Sequence, residues 1–100
     1  MGTPIKTRLR LETFDTYCKV RCINNREHLL QFHNWTELEP PQYVIYIRDG
    51  GFPYRAVDNY FQPMITWLHE CDIPHTYIQR QLAILLANDH DLSLFKLRWL

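Results

Sequence analysis

Tyr43-Val44-Ile45-Tyr46-Ile47 is β-branched or aromatic at every position, and such side chains suit a pleated surface. The run does not alternate with polar residues, so it predicts a strand buried on both faces, hence a central one. Pro40-Pro41 ends whatever precedes it, Arg48-Asp49-Gly50-Gly51 closes it with a turn, and Phe52-Pro53 prevents simple continuation. A central strand needs neighbours on both sides.

Upstream, Ile5, Thr7, Leu9 and Leu11 alternate with Lys6, Arg8, Arg10 and Glu12, a period of two that predicts a half-buried strand over 5–13. Residues 16–23 repeat it, with Cys18, Val20 and Cys22 opposite Tyr17, Lys19 and Arg21. With a turn around Asp15, the two runs predict an antiparallel hairpin. Residues 24–35 allow two readings. Asn24 followed by Glu27 has capping-box spacing, with Leu29, Phe32 and His33 on one helical face, and this helix is the favoured reading. Alternatively, Asn24-Asn25 is a hairpin turn, and His28, Leu30 and Phe32 line a third strand.

Downstream, Ala56, Val57, Tyr60, Phe61, Met64, Ile65 and Leu68 recur at helical spacing, with Pro63 expected to kink or divide the helix. Asp72-Ile73-Pro74 reads as the start of a second helix, with Ile78, Leu82, Leu85 and Leu86 as its buried stripe and Asn88 as its stop. In the tail, Ser93, Phe95, Leu97 and Trp99 alternate with Leu94, Lys96 and Arg98, which favours a last strand over a short helix. The expected fold is α+β: a single compact domain, 1–100, with a small, mainly antiparallel sheet of three or four strands and two or three helices packed on one face.

Composition narrows the function. The chain has 100 residues, with 11 Lys plus Arg against 11 Asp plus Glu and 46% hydrophobic residues. That is ordinary globular composition, not disorder. No run approaches the roughly 18 apolar residues of a membrane span, and the first residues lack the apolar core of a signal peptide, so a cytoplasmic location is expected. Three cysteines do not make a disulfide framework. Charge is uneven along the chain. Residues 1–28 carry six cations (Lys6, Arg8, Arg10, Lys19, Arg21, Arg26) against three anions (Glu12, Asp15, Glu27), leaving five and eight in the rest.

No motif carries specific chemistry. Cys18, Cys22, His28 and His33 are zinc-type donors. On a strand, however, the two thiols would lie roughly 13 Å apart, and on a helix the two imidazoles would point about 140° apart. No metal or other cofactor is expected, and Cys18 and Cys22 read as small buried hydrophobes. Cys71, with His69, Glu70, Asp72 and His75 nearby, has the residue types of a thiolate nucleophile. It falls at an expected helix end, whose partial negative charge disfavours a thiolate. Asp49-Gly50-Gly51 lacks any phosphate-loop pattern, and Asp89-His90-Asp91 reads as a solvated connection.

The aromatic content stands out. Fourteen rings, including Trp35, Trp67 and Trp99, exceed what so small a core needs, and partly exposed rings are frequent binding anchors. The leading expectation is a non-enzymatic protein-binding module of bacterial or phage type, an accessory or inhibitor chain docking on a larger host enzyme or complex. Trp67, His69, His75, Arg98 and Trp99 are its candidate contacts. One alternative is nucleic-acid binding through Arg8, Arg10, Lys19 and Arg21 on the N-terminal hairpin. Another is a small cysteine-dependent enzyme using Cys71.

Overall fold

A computed structural model describes residues 8–47 and 52–100. Its four strands are β1 (Leu9–Thr13), β2 (Tyr43–Ile47), β3 (His75–Ile78) and β4 (Ala83–Leu86). They form one antiparallel sheet in the order β1-β2-β4-β3. Four helices accompany it: α1 (Phe14–Val20), α2 (Arg26–Phe32), α3 (Tyr54–Glu70) and α4 (Asp89–Trp99). The α+β class and the mainly antiparallel sheet are as the sequence predicts.

Among the described residues the α-helices number four, and they cover both faces of the sheet instead of one. Opposite residues of β2 and β4 share a face: Val44 with Leu85 and Tyr46 with Ala83 on one side, Ile45 with Ile84 on the other. The first set packs with Phe14, Tyr17 and Cys18 of α1 and with Leu29 and Leu30 of α2. The second packs with Val57, Phe61, Met64 and Leu68 of α3 and with Leu92 and Phe95 of α4. An antiparallel sheet with both faces apolar needs a helical layer on each. Ile78 and Leu85 accordingly pack on the α1–α2 side while Met64 and Leu68 pack on the other.

The expected N-terminal hairpin is a strand followed directly by a helix. Thr13 ends β1 and caps α1, its Oγ1 accepting from the Thr16 amide at 3.2 Å. Phe14, Tyr17 and Cys18, at i, i+3 and i+4, are buried, whereas Val20 is 72% exposed. The alternation through Cys18, Val20 and Cys22 is incidental, and Cys22 is exposed. The favoured helix after Asn24 is present as α2, with Asn25 as its cap, accepting from the His28 amide at 2.9 Å. Phe32 is 66% exposed, so its inward-facing pair is Leu29 and Leu30.

Three helices end in the same way. At the ends of α1, α2 and α3, residues Cys22, Asn34 and Asp72 adopt φ of 56°, 59° and 53°. The amides of Ile23, Trp35 and Ile73 bond back to Cys18, Leu30 and Leu68 carbonyls at 2.9, 2.9 and 3.0 Å. Those of Cys22, Asn34 and Asp72 bond to Lys19, Gln31 and His69. This is the Schellman pattern, with its usual apolar residue just beyond. Asp72 therefore closes α3 and starts no helix.

Pro63 neither divides nor ends α3, which runs through it. The proline withholds the amide that would bond the Asn59 carbonyl, but both residues are on the exposed side, where water can satisfy that group. After the α3 cap the chain forms a β3–β4 hairpin, not a helix. Its 3-10 turn, Gln79–Gln81, leads into Leu82 at φ 53°. Asn88 starts α4 instead of stopping a helix, its Oδ1 accepting from the Asp91 amide at 3.0 Å. Asp89 and Asp91 in the first turn and Lys96 and Arg98 in the last match the helix dipole. The expected terminal strand is thus helix α4. The Arg48–Gly51 turn and residues 5–7 of the first strand lie outside the described residues.

The left-handed caps generate a stability prediction. A non-glycine residue in this conformation costs about 1–2 kcal/mol, and glycine returns about 0.4–1 kcal/mol of that through unfolded-chain entropy. Cys22→Gly should therefore raise unfolding free energy by about 0.5–1 kcal/mol in urea titrations. Cys22→Ala should leave it near the wild-type value, and a destabilised glycine variant would refute the cap assignment.

Candidate functional site

The five candidate contacts fall into two groups. The first lies along the seam between α3 and α4. Trp67, just off the buried Val57-Phe61-Met64-Leu68 stripe of α3, meets Phe95 at 6.4 Å and Trp99 at 6.3 Å between ring centroids, both edge to face. Such geometry suits the ring quadrupoles and adds about 0.5–1.5 kcal/mol per pair beyond area burial. Both tryptophans are half-buried against the core. The Arg98 guanidinium carbon stands 4.6 Å from the Trp99 ring centre, a cation–π contact. Trp99 Nε1 is buried and has no hydrogen-bond partner among the described residues. Trp99 sits on a helix end, so it offers a ring and not the strand edge anticipated from the tail.

The second group surrounds the α3 cap. His69, in the last turn of α3, and His75, the first residue of β3, stack edge to face with ring centres 4.5 Å apart. With Thr36, Leu68, Asp72 and Ile73 they line a shallow notch. Nδ1 of His75 lies 2.7 Å from the Ile73 carbonyl. A carbonyl only accepts, so Nδ1 carries the proton and Nε2 is left as an acceptor. Burial pushes the His75 pKa down, and the neighbouring His69 adds to the effect. No hydrogen bond among the described residues joins Cys71 to either imidazole. Cys71 is exposed at the C-cap of α3.

The basic residues lie at the start of β1, on it, and along the last turn and end of α1, with Arg10 and Arg21 both beside Tyr46. Arg8 precedes β1 and Arg10 lies on it, opposite Tyr46. Lys19 is paired to Asp15 at 3.0 Å. Arg21 lies over the Tyr17 and Tyr46 rings at 5.3 and 5.9 Å. Around a helix axis, residues 19 and 21 are about 200° apart, so Lys19 and Arg21 do not share a face. Among the described residues no three His, Cys, Asp or Glu side chains are grouped to hold a metal. No described helix is long and apolar enough to cross a membrane. Of Asp89-His90-Asp91, Asp89 accepts from the Tyr43 hydroxyl and Asp91 is buried in α4.

The sequence reading missed a hollow of about 560 Å³ where the starts of α1 and α2 meet residues 40–43. Phe14, Leu30, Pro41 and Tyr43 line it, and the 2.7 Å Arg26–Asp15 ion pair stands at its rim. Hydrogen bonds from Arg26, then Lys19, hold the Asp15 carboxyl below its usual pKa. No local signal marks this hollow, because it exists only once residues 14–20 are helical. Comparisons with protein-family models, curated proteins and solved structures give no match.

Burial of His75 sets a pH dependence. Its folded pKa lies below the unfolded value near 6.5, so the unfolded chain binds more protons in acid. The stability it confers is present above about pH 6.5 and is lost as pH falls toward the depressed folded pKa. His33, also lowered by burial with Arg80 contributing, acts in the same direction. Urea midpoints should fall between pH 7.5 and 5, and His75→Gln should reduce that fall. An unchanged pH profile in the variant would remove His75 as its source.

Proposed function

We propose that this chain is a protein-binding module that docks on a larger protein through the α3–α4 seam, acting as an accessory or inhibitor chain of the bacterial or phage type. The observation that carries this reading is the Trp67–Trp99 pair, packed edge to face, half-buried and overlaid by Arg98. Trp and Arg are the residue types most enriched among interface anchors. Held by two helices, the rings are preorganised, so little conformational freedom is lost on docking.

Nucleic-acid binding draws less support. Lys19 is held by Asp15, Arg21 lies on tyrosine rings, and the chain has no net charge. The cysteine-dependent enzyme also draws less, since Cys71 has no imidazole hydrogen-bonded to it among the described residues.

The test uses the whole chain as immobilised bait in native lysate, with the captured partner identified by mass spectrometry and titrated. Arg98→Ala and Trp67→Ala should each weaken that partner's binding, the tryptophan change by at least about 2 kcal/mol. Trp67→Ala should cost less than the roughly 3–5 kcal/mol of a fully buried ring, so the variant stays folded for the measurement. A partner held equally well by both variants would overturn the seam as the docking site. Recovery of nucleic acid in a steeply salt-dependent manner would favour the alternative.

A further inference from the structure

The sheet order places β1 at an edge, and among the described residues no strand pairs with its outer side. Such an edge presents a row of backbone donors and acceptors that another strand can extend. What the strand carries decides which one. Leu9 and Leu11 lie opposite Ile47 and Ile45, on the α3–α4 side, and both are half-buried. Arg10 and Glu12 lie opposite Tyr46 and Val44, on the other side.

We infer that β1 pairs antiparallel with β1 of a second copy of this chain, about a two-fold axis at Leu11, to give a continuous eight-stranded sheet. In that register Arg10 of each copy is opposite Glu12 of the other, Leu11 meets Leu11, and Leu9 meets Thr13. Two cross-strand pairs of opposite charge form at once, and each such pair stabilises a ladder while like charges destabilise it. Centring the axis on Glu12 sets Glu12 against Glu12, and centring it on Arg10 sets Arg10 against Arg10, where the only opposite pairs use Arg8, which lies outside the strand. Slipping by one residue exchanges the apolar and charged sides. Within the strand itself, residues 9–13, the charge pattern is thus self-complementary in one register, as a two-fold interface requires.

Arg10 keeps its contacts within the chain, including the bond to the Leu9 carbonyl at 3.3 Å. The second copy adds a carboxylate beside it, and Glu12 has no ion pair among the described residues. On the apolar side, the second copy's Leu11 extends the layer over half-buried Leu9 and Leu11. The other edge, β3, reads His75-Thr76-Tyr77-Ile78 and has no alternating charge. A ladder of five residues buries little surface, so the association is of the weak class.

The experiment is sedimentation equilibrium on the intact chain from about 10 μM to 1 mM at low salt, a range suited to that weak class. Wild type should show a concentration-dependent dimer. Arg10→Glu and Glu12→Arg, each setting like charges opposite one another, should raise the dimer dissociation constant at least about tenfold. The double exchange, Arg10→Glu with Glu12→Arg, should restore it to within a few-fold of wild type. Circular dichroism and thermal unfolding of the four proteins establish that each is folded, and the double variant reports on pairing even if one single variant is weakened. A monomer throughout the range would overturn the inference. So would a dimer indifferent to both reversals, or one that the double exchange fails to restore. Trp67→Ala should leave the dimer intact, which separates this edge from the α3–α4 seam.

Discussion

The β2–β4 pair sets the terms for the rest of the molecule. Val44, Ile45, Ile84, Leu85 and Leu86 are each 0% exposed, and they point alternately to the two faces of one ladder. Burying such a side chain is worth about 1.5–3 kcal/mol, and neither face can be left to water. One layer of helices would strand half of these residues. The two apolar clusters, one under α1 and α2 and one under α3 and α4, answer that constraint.

Two-sided cover demands abrupt changes of direction in a short chain, and backbone caps supply them. Thr13 turns a strand into a helix without a linker. Cys22, Asn34 and Asp72 stop three helices in left-handed conformations, and the next apolar residue is pinned back onto the helix. At α3 the device has a further structural consequence. Ile73 returns over Leu68, which fixes where β3 begins and so brings His75 against His69.

The α3–α4 seam lies at the outer margin of this cover. Phe95 is fully buried, while Trp67 and Trp99 complete the seam at half burial. Their faces are shared between core and solvent, which gives a surface whose rigidity comes from the core itself. The histidine notch sits at the cap, on separate contacts from the tryptophans. Two neighbouring features arise from different constraints, helix–helix packing for one and helix termination for the other.

What the sequence determined alone is what a period or a composition can carry. The unbroken apolar run of residues 43–47 dictated a central strand, the alternation of residues 9–13 a half-buried strand with Leu9 and Leu11 inward, and the spacing from Val57 to Leu68 a helix with a single buried face. The prominence of Trp67 and Trp99 was legible too, as an excess of rings. Residues 14–20 satisfied both periods, and only burial of Phe14, Tyr17 and Cys18 against Val44 and Leu85 chose the helix. Ala83–Leu86 is too short an apolar run for periodicity to assign, and pairing with β2 made it a strand. Asp72 and Asn88 belong to types that suit either end of a helix, and the backbone bonds they accept or enable decided which. That Trp67 meets Trp99, and His69 meets His75, depended on contacts across 32 and 6 residues of chain respectively. Such contacts follow from packing on a shared sheet, and no local pattern encodes them.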